Sequence, residues 1–423
     1  MRVLLTNWRL EDRAGTELYL LDVARWLRDH GHVPVAYSPR LGAFADEIRA
    51  DAVAVVDDLR LLAERPDLIH GQHHLSTMTA IAQFPGVPVV AFCHGWTPWE
   101  EMPIRHPSIR AYVAVSAHTR DRLVLESGID PQLVSVLPNF VDVDRFRHRE
   151  VIADVPERAL IFSNYAVRGN GWVRAIEVVC AERGITVEVV GSRYGTAADR
   201  PEALLHGFDL VFAKGRAAME AMATGAAVIV CDSTGLGPIV TPRNFEEMRD
   251  GNFGFRVLRS THDESLLRAA ISEYDPEDVR QTTNLVRRSL SRDEIVPRLE
   301  QIYERAIAYA KARPTSESEA AAALAGYLYQ LNKADVQPRI QVSEHYEAEL
   351  TAAHRALDEA LADREELAVV EARFHALQTG MEAATVRIAG LDAALETTRN
   401  SKSWRLTSPL RRVGSLARKL AHR

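Results

Sequence analysis

The segment 209–237 constrains the fold of this chain more than any other. It reads DLVFAKGRAAMEAMATGAAVIVCDSTGLG: an apolar run, a short turn at 214–216, a helix-forming run over 217–223, and a second apolar run that ends in Asp232 and a glycine-bearing loop. This order predicts a parallel strand–helix–strand unit. Because the crossover in such a unit is right-handed, the loop after the first strand lies at the carboxyl edge of the sheet, where ligands bind.

Four residues at the start of this helix are candidates for binding a nucleotide. Unpaired peptide N–H groups, the positive end of the helix dipole, and the side chains of Lys214 and Arg216 on either side of Gly215 favour a phosphate. Glu220 lies about one turn further on, where a carboxylate can accept two hydrogen bonds from a ribose diol. The alternative is that Glu220 only complements the helix dipole and that Lys214 is solvated.

Short apolar runs alternate with helix-forming segments along the first three quarters of the chain. RVLLTN comes first, and VPVAYS, AVAVVD, LIHGQ, VPVVAFC, AYVAVS and VSVLPN follow. The alternation begins again with ALIFSN and TVEVVG and continues through 209–237 to a last strand, GFRVL, at 254–258. The pattern predicts an α/β protein with two Rossmann-like, doubly wound domains, at 1–148 and 149–313. Helices are expected after the last strand, with Asp263 and Ser291 as N-cap residues.

Composition narrows the class of protein. The chain has 423 residues, of which 47% are hydrophobic, so it can form two or three domains with cores of their own. Cys93, Cys180 and Cys231 do not have the spacing of a metal site or a disulfide framework. A signal-peptide pattern is lacking, and no apolar stretch reaches the roughly 20 residues of a membrane span. We therefore expect a cytoplasmic protein.

The last quarter of the chain has a different character. A helix and linker are predicted at 314–340, and the region 341–400 lacks proline and is rich in Ala, Glu and Leu. Apolar residues repeat there in heptads, on one position as Leu367, Phe374, Met381, Ile388 and Leu395 and on its partner as Val370, Leu377, Ala384 and Leu391. This seam predicts a coiled coil and a homo-oligomer formed through 341–400. The alternative is a helix that packs on the preceding domains.

The tail at 401–423 carries seven Lys or Arg residues and no acid, whereas the chain as a whole has a formal charge of −7. Leucines and other apolar residues recur there every three to four residues, which places an apolar stripe beside a basic face. Such a helix suits an anionic membrane surface or a partner groove. A nucleic-acid partner is not expected, because the rest of the chain is acidic.

Six motifs in order carry a resemblance to a known family: AGTELYLLDVARWLRDHGH, DLIHGQHH, VVAFCHGW, VAVSAHTRDRL, VLPNFVDVDRF and KGRAAMEAMATGAAVIVCD. With them the sequence resembles the retaining, nucleotide-sugar-dependent glycosyltransferases of family 4 over about its first three quarters. The resemblance implies the GT-B fold, in which two Rossmann-like domains face each other across a cleft, the second holding the donor and the first the acceptor. The tail string SWRLTSPLR resembles an element that follows coiled coils in bacterial surface-polysaccharide enzymes.

The resemblance also implies site residues. His94 and Glu220 become the candidate catalytic residues, His94 facing the donor sugar and Glu220 holding the ribose. Contacts to the diphosphate of the donor are implied for Gly15, Thr16, Gly215 and Arg216. No metal and no cofactor besides the UDP- or GDP-linked donor is expected, because helix termini and cationic side chains neutralise the phosphates. A cluster of His70, His73 and His74 ends a predicted strand, and we favour cleft or structural roles for it over zinc.

Two departures from the family pattern affect the donor site. Phe212 stands where the family has a glutamate that contacts the donor sugar, and Asn164 stands on a usual arginine. Arg168 takes the place of a nearby lysine, and Lys214 can restore the lost cation. At least two cations therefore remain for a diphosphate.

These observations predict a retaining glycosyltransferase that moves a sugar from a nucleotide sugar to a glycan or lipid-linked acceptor in cell-surface polysaccharide synthesis. It would be cytoplasmic and peripheral on the inner face of the plasma membrane. The alternative is a catalytically inactive GT-B scaffold that acts through its coiled coil, and a nucleotide-sugar hydrolase or epimerase is a third hypothesis.

Overall fold

The computed structural model describes residues 1–96, 98–196, 198, 200–332 and 367–400. Backbone contacts divide the chain after Thr315 into two units. The first unit contains two mainly parallel sheets that follow one another along the sequence. This arrangement confirms the prediction of two Rossmann-like halves.

The first sheet has seven parallel strands. They are β1 (Arg2–Thr6), β2 (Val33–Tyr37), β3 (Ala54–Val56), β4 (Leu68–Gly71), β5 (Val89–Cys93), β6 (Ile109–Ala114) and β7 (Val134–Val136). Their spatial order is β3-β2-β1-β4-β5-β6-β7, so the winding reverses between β1 and β4. Ligands of doubly wound sheets bind outside the carboxyl ends of the strands at such a reversal.

The second sheet has five strands: β8 (Arg158–Phe162), β9 (Thr186–Val190), β10 (Leu210–Ala213), β11 (Ala227–Asp232) and β12 (Gly235–Ile239). Their order is β12-β11-β10-β8-β9, and β12 alone pairs antiparallel. The winding of this sheet reverses between β8 and β10. The loops after these two strands therefore mark its ligand edge. The predicted domain boundaries at 148/149 and 313/314 stay predictions.

Helices connect and cover the strands. In the first unit they are α1 (Gly15–Asp29), α2 (Ala43–Ala50), α3 (His74–Gln83), α4 (Ala117–Asp121), α5 (Gly171–Ala181), α6 (Pro201–Leu205), α7 (Gly215–Ala223), α8 (Phe245–Asp250), α9 (Glu264–Ser272), α10 (Pro276–Ser289) and α11 (Arg292–Ala312). A π-helix, Arg122–Glu126, continues α4. Single 3-10 turns lie at Leu59–Leu61, Trp99–Glu101, Pro131–Leu133, Ser192–Tyr194 and Phe255–Val257.

The core of the first sheet includes a helix from the end of the unit. Apolar side chains of α1, such as Leu20 and Leu27, pack against strand residues such as Val3 and Leu5. The same cluster takes in the buried face of α11: Ile295, Val296, Leu299, Ile302, Tyr303 and Ala306. These residues recur every three to four positions, as one face of a helix requires. The last long helix of the unit therefore returns to the first sheet.

The second sheet is covered on both faces, and β10 shows how its residues alternate. Leu210 and Phe212 point into a cluster with α5 and α9, whereas Val211 and Ala213 point into a cluster with α7 and α10. Phe212 has 0% exposure. Position 212 therefore belongs to the core of the sheet.

The predicted strand at 254–258 is wrong. This stretch forms the 3-10 turn at Phe255–Val257, with Val257 buried and Phe255 exposed. The sheet edge is occupied instead by β12, which lies in the segment predicted as a loop after Asp232. A tight connection from β11 allows β12 to pair antiparallel at once, so the adjacent edge is filled before residue 254 is reached.

Three helix boundaries can be compared with the expectations from the sequence. α7 begins at Gly215 instead of at 217, and Gly215 has a φ of 59°, a left-handed value that a side chain would disfavour. Asp263 caps α9, accepting from the Ser265 N–H, as predicted. Ser291 precedes α11 without a side-chain capping bond.

The second unit contains α12, at 317–332, and α13 (Leu367–Asn400). α13 is one continuous helix of 34 residues that covers the downstream part of the predicted heptad region. The linker at 333–340, the rest of the heptad region at 341–366 and the basic tail at 401–423 lie outside the described residues. Over the described part of the chain, no helix is long and apolar enough to cross a membrane.

Candidate active site

The loop after β10 places a cation at the ligand edge of the second sheet. Lys214 Nζ pairs with the buried carboxylate of Asp232, at the end of β11. The ammonium also lies 4.8 Å from the ring centroid of Tyr165 and 5.4 Å from that of Phe255. Burial raises the pKa of Asp232, but hydrogen bonds from Lys214 and Thr234 outweigh it and hold this pKa below its usual range. Lys214 is thus ion-paired with Asp232, a contact that neither reading of the sequence included.

Arg216 and Glu220 form a pair on the first turns of α7. Arg216 Nε donates to Oε1 of Glu220 at 2.7 Å. The guanidinium also pairs with Asp22 of α1, which has 0% exposure. Arg145 Nη2 reaches the same Asp22 oxygen at 3.3 Å. Arg216 therefore links helix α7 of the second sheet to helix α1 of the first sheet.

Burial and charge act in opposite directions on these two acids. Burial raises the pKa of Asp22, but the positive charges of Arg216 and Arg145 lower it by more. The net pKa therefore lies below its usual range. For Glu220, burial exceeds the effect of Arg216 and the pKa is raised. Arg216 therefore lies between two buried acids, Asp22 and Glu220. In the described residues no hydrogen bond reaches Oε2 of Glu220, which leaves that oxygen for a ligand hydroxyl.

The other predicted donor contacts lie at both ligand edges. Arg168 is exposed in the loop after β8, with its Cζ 4.7 Å from the ring centroid of Tyr194. Gly15 begins α1 and is exposed, and Thr16 follows it. The Thr16 hydroxyl donates to Oε2 of Glu17 at 2.8 Å. Of these, Arg168 is brought to the same edge as Lys214, whereas Gly15 and Thr16 belong to the first sheet.

His94 follows β5 at the ligand edge of the first sheet. Its ring packs 4.8 Å from that of Tyr19, and burial lowers the pKa of the imidazole to about 4. The buried Nε2 atom has no hydrogen-bond partner among the described residues. The ring is therefore neutral near pH 7, with one nitrogen available to a ligand hydroxyl.

Sequence reasoning missed a buried acid beside His94. Glu101 Oε2 accepts from the His94 peptide N–H at 3.0 Å, and burial raises the pKa of Glu101 to about 7. Its Oε1 lies 3.7 Å from Nε2 of His73, a residue with a φ of 62°. Burial lowers the pKa of His73 to about 3, so near neutral pH the imidazole of this contact is uncharged. A non-glycine residue in the left-handed region is a strained feature of the kind found at binding sites.

The three histidines considered for metal binding have separate partners. His70 pairs with the hydroxyl of Tyr303 on α11 and contacts Gln72 Nε2 at 3.1 Å. His73 accepts from the Trp8 N–H through Nδ1 at 3.1 Å. In the described ranges no group of three or more His, Cys, Asp or Glu side chains converges as metal ligands would. The roles of these histidines stay predictions.

Asp22 was also missed, although the sequence offered a signal. An acid within the apolar face of a predicted helix must be paired when buried. Phe212, which stands where the family has a glutamate, packs in the core of the second sheet. The cleft position beside α7 is filled by Lys214, directly after β10.

Comparison with known proteins defines the class. Residues 13–145 match the family described as Glycosyltransferase Family 4. No curated protein matches the chain significantly. A solved glycosyltransferase from Rickettsia africae is 14% identical, with a TM-score of 0.53 over 72% of this chain and 98% of its own. Anabaena HepE in complex with UDP is 16% identical, with a TM-score of 0.53 over 72% and 100%.

The same Anabaena protein with UDP and glucose is 14% identical, with a TM-score of 0.51 over 72% of this chain and 99% of its own. These similarities confirm the GT-B fold. Taken with the family match, they support the predicted class: the chain is a glycosyltransferase of the GT-B fold.

Proposed function

We propose that this protein transfers a sugar, with retention of anomeric configuration, from a nucleoside-diphosphate sugar to a glycan or lipid-linked acceptor. The donor is UDP- or GDP-linked. The reaction serves cell-surface polysaccharide synthesis at the cytoplasmic face of the plasma membrane. This proposal extends the class to a donor, a stereochemical course and a setting.

The observation that carries the proposal is a cluster of basic side chains where the second sheet reverses its winding; Arg168 has no acid partner among the described residues, whereas Lys214 and Arg216 are held in ion pairs. Arg168 follows β8, and Lys214 and Arg216 follow β10. Breaking the bond to a diphosphate develops negative charge, and fixed cations stabilise that charge in the transition state. The UDP complex of the Anabaena protein of the same fold supports a nucleoside diphosphate as a ligand.

Glu220 and His94 would contact the sugar rings of the substrates. Oε2 of Glu220 would accept from a ribose hydroxyl while Arg216 donates to Oε1. The neutral imidazole of His94 can hydrogen-bond a sugar hydroxyl across the cleft without adding charge. The site therefore combines a charged half for the diphosphate with an uncharged polar half for sugars.

The test is release of nucleoside diphosphate across a panel of UDP- and GDP-sugars, with the anomeric configuration of the product read by NMR. We expect Glu220→Gln and His94→Ala each to lower turnover by about a hundredfold. His94→Ala should leave nucleotide affinity within about twofold of wild type. A wild-type protein that neither turns over nor binds any member of the panel would support the inactive scaffold instead.

Self-association through 341–400 is part of the proposal. In α13 the seam residues Phe374, Leu377, Met381 and Ile388 are only partly buried, which leaves apolar surface for a second copy. Equilibrium sedimentation of the full chain should give a concentration-dependent dimer or trimer. A monomer at high micromolar concentration would contradict this part.

The basic tail provides the proposed membrane contact. Deleting 401–423 should abolish binding to vesicles that contain anionic phospholipid, because each basic residue near such a surface contributes about 1 kcal/mol. Vesicles of neutral lipid are the control. Equal binding by the truncated and full chains would contradict the contact.

A further inference from the structure

Two loops contact each other closely at the ligand edge of the second sheet. The first follows β8 and contains Asn164 and Tyr165; the second follows β9 and contains the turn Ser192–Tyr194. Oδ1 of Asn164 accepts from the Ser192 N–H at 3.0 Å. A side-chain carbon at Gly191 would lie 2.0 Å from the backbone oxygen of Ser163, so only glycine permits this approach. The relative position of the two loops is thus set by specific contacts.

The contact between these two loops places cations over aromatic rings. Arg193 Cζ lies 5.4 Å from the ring centroid of Tyr165, and Lys214 Nζ lies 4.8 Å from the same centroid. The neighbouring Arg168 Cζ lies 4.7 Å from the ring of Tyr194. Three cations from three loops are therefore held within one cluster at the carboxyl ends of β8, β9 and β10.

The partners of these cations decide what they can bind. Lys214 has an acid partner, Asp232, but in the described part of the chain neither Arg168 nor Arg193 forms a salt bridge. An aromatic ring orients a guanidinium without neutralising it, whereas a carboxylate would cancel its charge. Arg168 and Arg193 consequently keep a full positive charge for an anion from solution.

We propose that Arg193 binds the diphosphate of the donor together with Arg168, and that Asn164 positions the loop that carries Arg193. This inference rests on the proposed nucleotide-sugar donor and assigns part of its recognition to the loop after β9. The chemistry that Arg193 recognises is a pair of linked phosphates, to which a guanidinium can donate two parallel hydrogen bonds.

The test is isothermal titration of the full chain with UDP, GDP and inorganic pyrophosphate. Arg193→Ala should weaken the binding of whichever nucleoside diphosphate the wild type prefers by about tenfold, and that of pyrophosphate by a similar factor. Arg158→Ala is the matched control, because Arg158 is also exposed and also lies over a ring, 4.7 Å from the centroid of Phe208, at the opposite end of β8. It should change affinity less than twofold.

A positioning role for Asn164 predicts non-additivity. Asn164→Ala should weaken nucleotide binding less than Arg193→Ala does, and the double variant should be no weaker than Arg193→Ala alone. Full additivity would contradict the positioning role. Urea unfolding of Asn164→Ala and Arg193→Ala shows whether either variant has lost stability, which separates weaker binding from partial unfolding.

The remaining outcomes separate this inference from the proposed function. If the wild type binds no nucleoside diphosphate, the proposed donor is wrong. If the wild type binds one and Arg193→Ala binds it equally well, the donor stands and the role of Arg193 is wrong. If Arg193→Ala weakens the nucleotide but not pyrophosphate, Arg193 contacts the nucleoside, which also overturns the inference.

Discussion

The ligand edges of the two sheets have similar topology and opposite electrostatics. At the first edge, burial keeps His73 and His94 neutral and raises the pKa of Glu101 to about 7. At the second edge, Lys214 and Arg216 form ion pairs with Asp232 and Asp22. The fold therefore fixes where ligands bind, whereas the balance of burial and ion pairing fixes what they are.

This contrast matches the two substrates of a sugar transfer. The proposed diphosphate needs fixed positive charge, which basic residues in loops after adjacent strands of the second sheet would supply. Sugar hydroxyls need neutral donors and acceptors, which buried imidazoles provide. The link between the halves is the Arg216–Asp22 pair, which joins α7 to α1.

Breaking this link should have the largest effect on stability. Arg216→Met leaves Asp22 fully buried with less compensating charge, so we expect a loss of about 4 kcal/mol in the free energy of unfolding, measured with urea. Arg158→Met is the control, because it breaks an exposed pair with Glu188 and should cost less than about 1 kcal/mol. Equal losses in the two variants would contradict the account of the link.

Removing the buried acid from the first edge should change the pH dependence of stability. A carboxyl whose pKa is raised by folding, from 4.5 to about 7 for Glu101, favours folding below its unfolded pKa. That contribution is lost as pH rises through about 7, by about 3 kcal/mol in total. Glu101→Gln should therefore gain stability relative to wild type between about pH 5 and pH 8. If wild type and Glu101→Gln show the same pH dependence of stability in urea unfolding, the ionisation of Glu101 is not linked to folding, which would contradict this account.

The smallest effect is expected at Phe212. Because this side chain packs in the core and not in the cleft, Phe212→Leu should cost about 1 kcal/mol of stability. Nucleotide affinity should stay within about twofold of wild type by titration calorimetry. A tenfold change in nucleotide affinity with unchanged stability would instead show that position 212 contributes to donor binding.

Much of the fold could be predicted because its signals are local. Apolar runs bounded by turns gave the strands, and their alternation with helices gave two doubly wound halves. The failure at 254–258 has a physical cause: β12 fills the sheet edge first, and propensity alone does not register that competition.

The candidate site was predictable in position but not in pairing. Motifs at strand ends located His94, Lys214 and Arg216, because parallel topology places those ends at one edge. The pairing of Arg216 with Asp22 joins residues 194 positions apart, and no local pattern encodes it. The same holds for Arg193, whose neighbour Tyr165 comes from another loop.

The most direct test of the central claim is the affinity of the charged edge for a diphosphate. The double variant Arg168→Ala, Lys214→Gln removes two cations, and the glutamine amide can still hydrogen-bond Asp232. Titration with UDP and GDP at low salt should show a loss of at least about a hundredfold relative to wild type, with Arg158→Ala unchanged. Affinity of the double variant within about twofold of wild type would contradict the account.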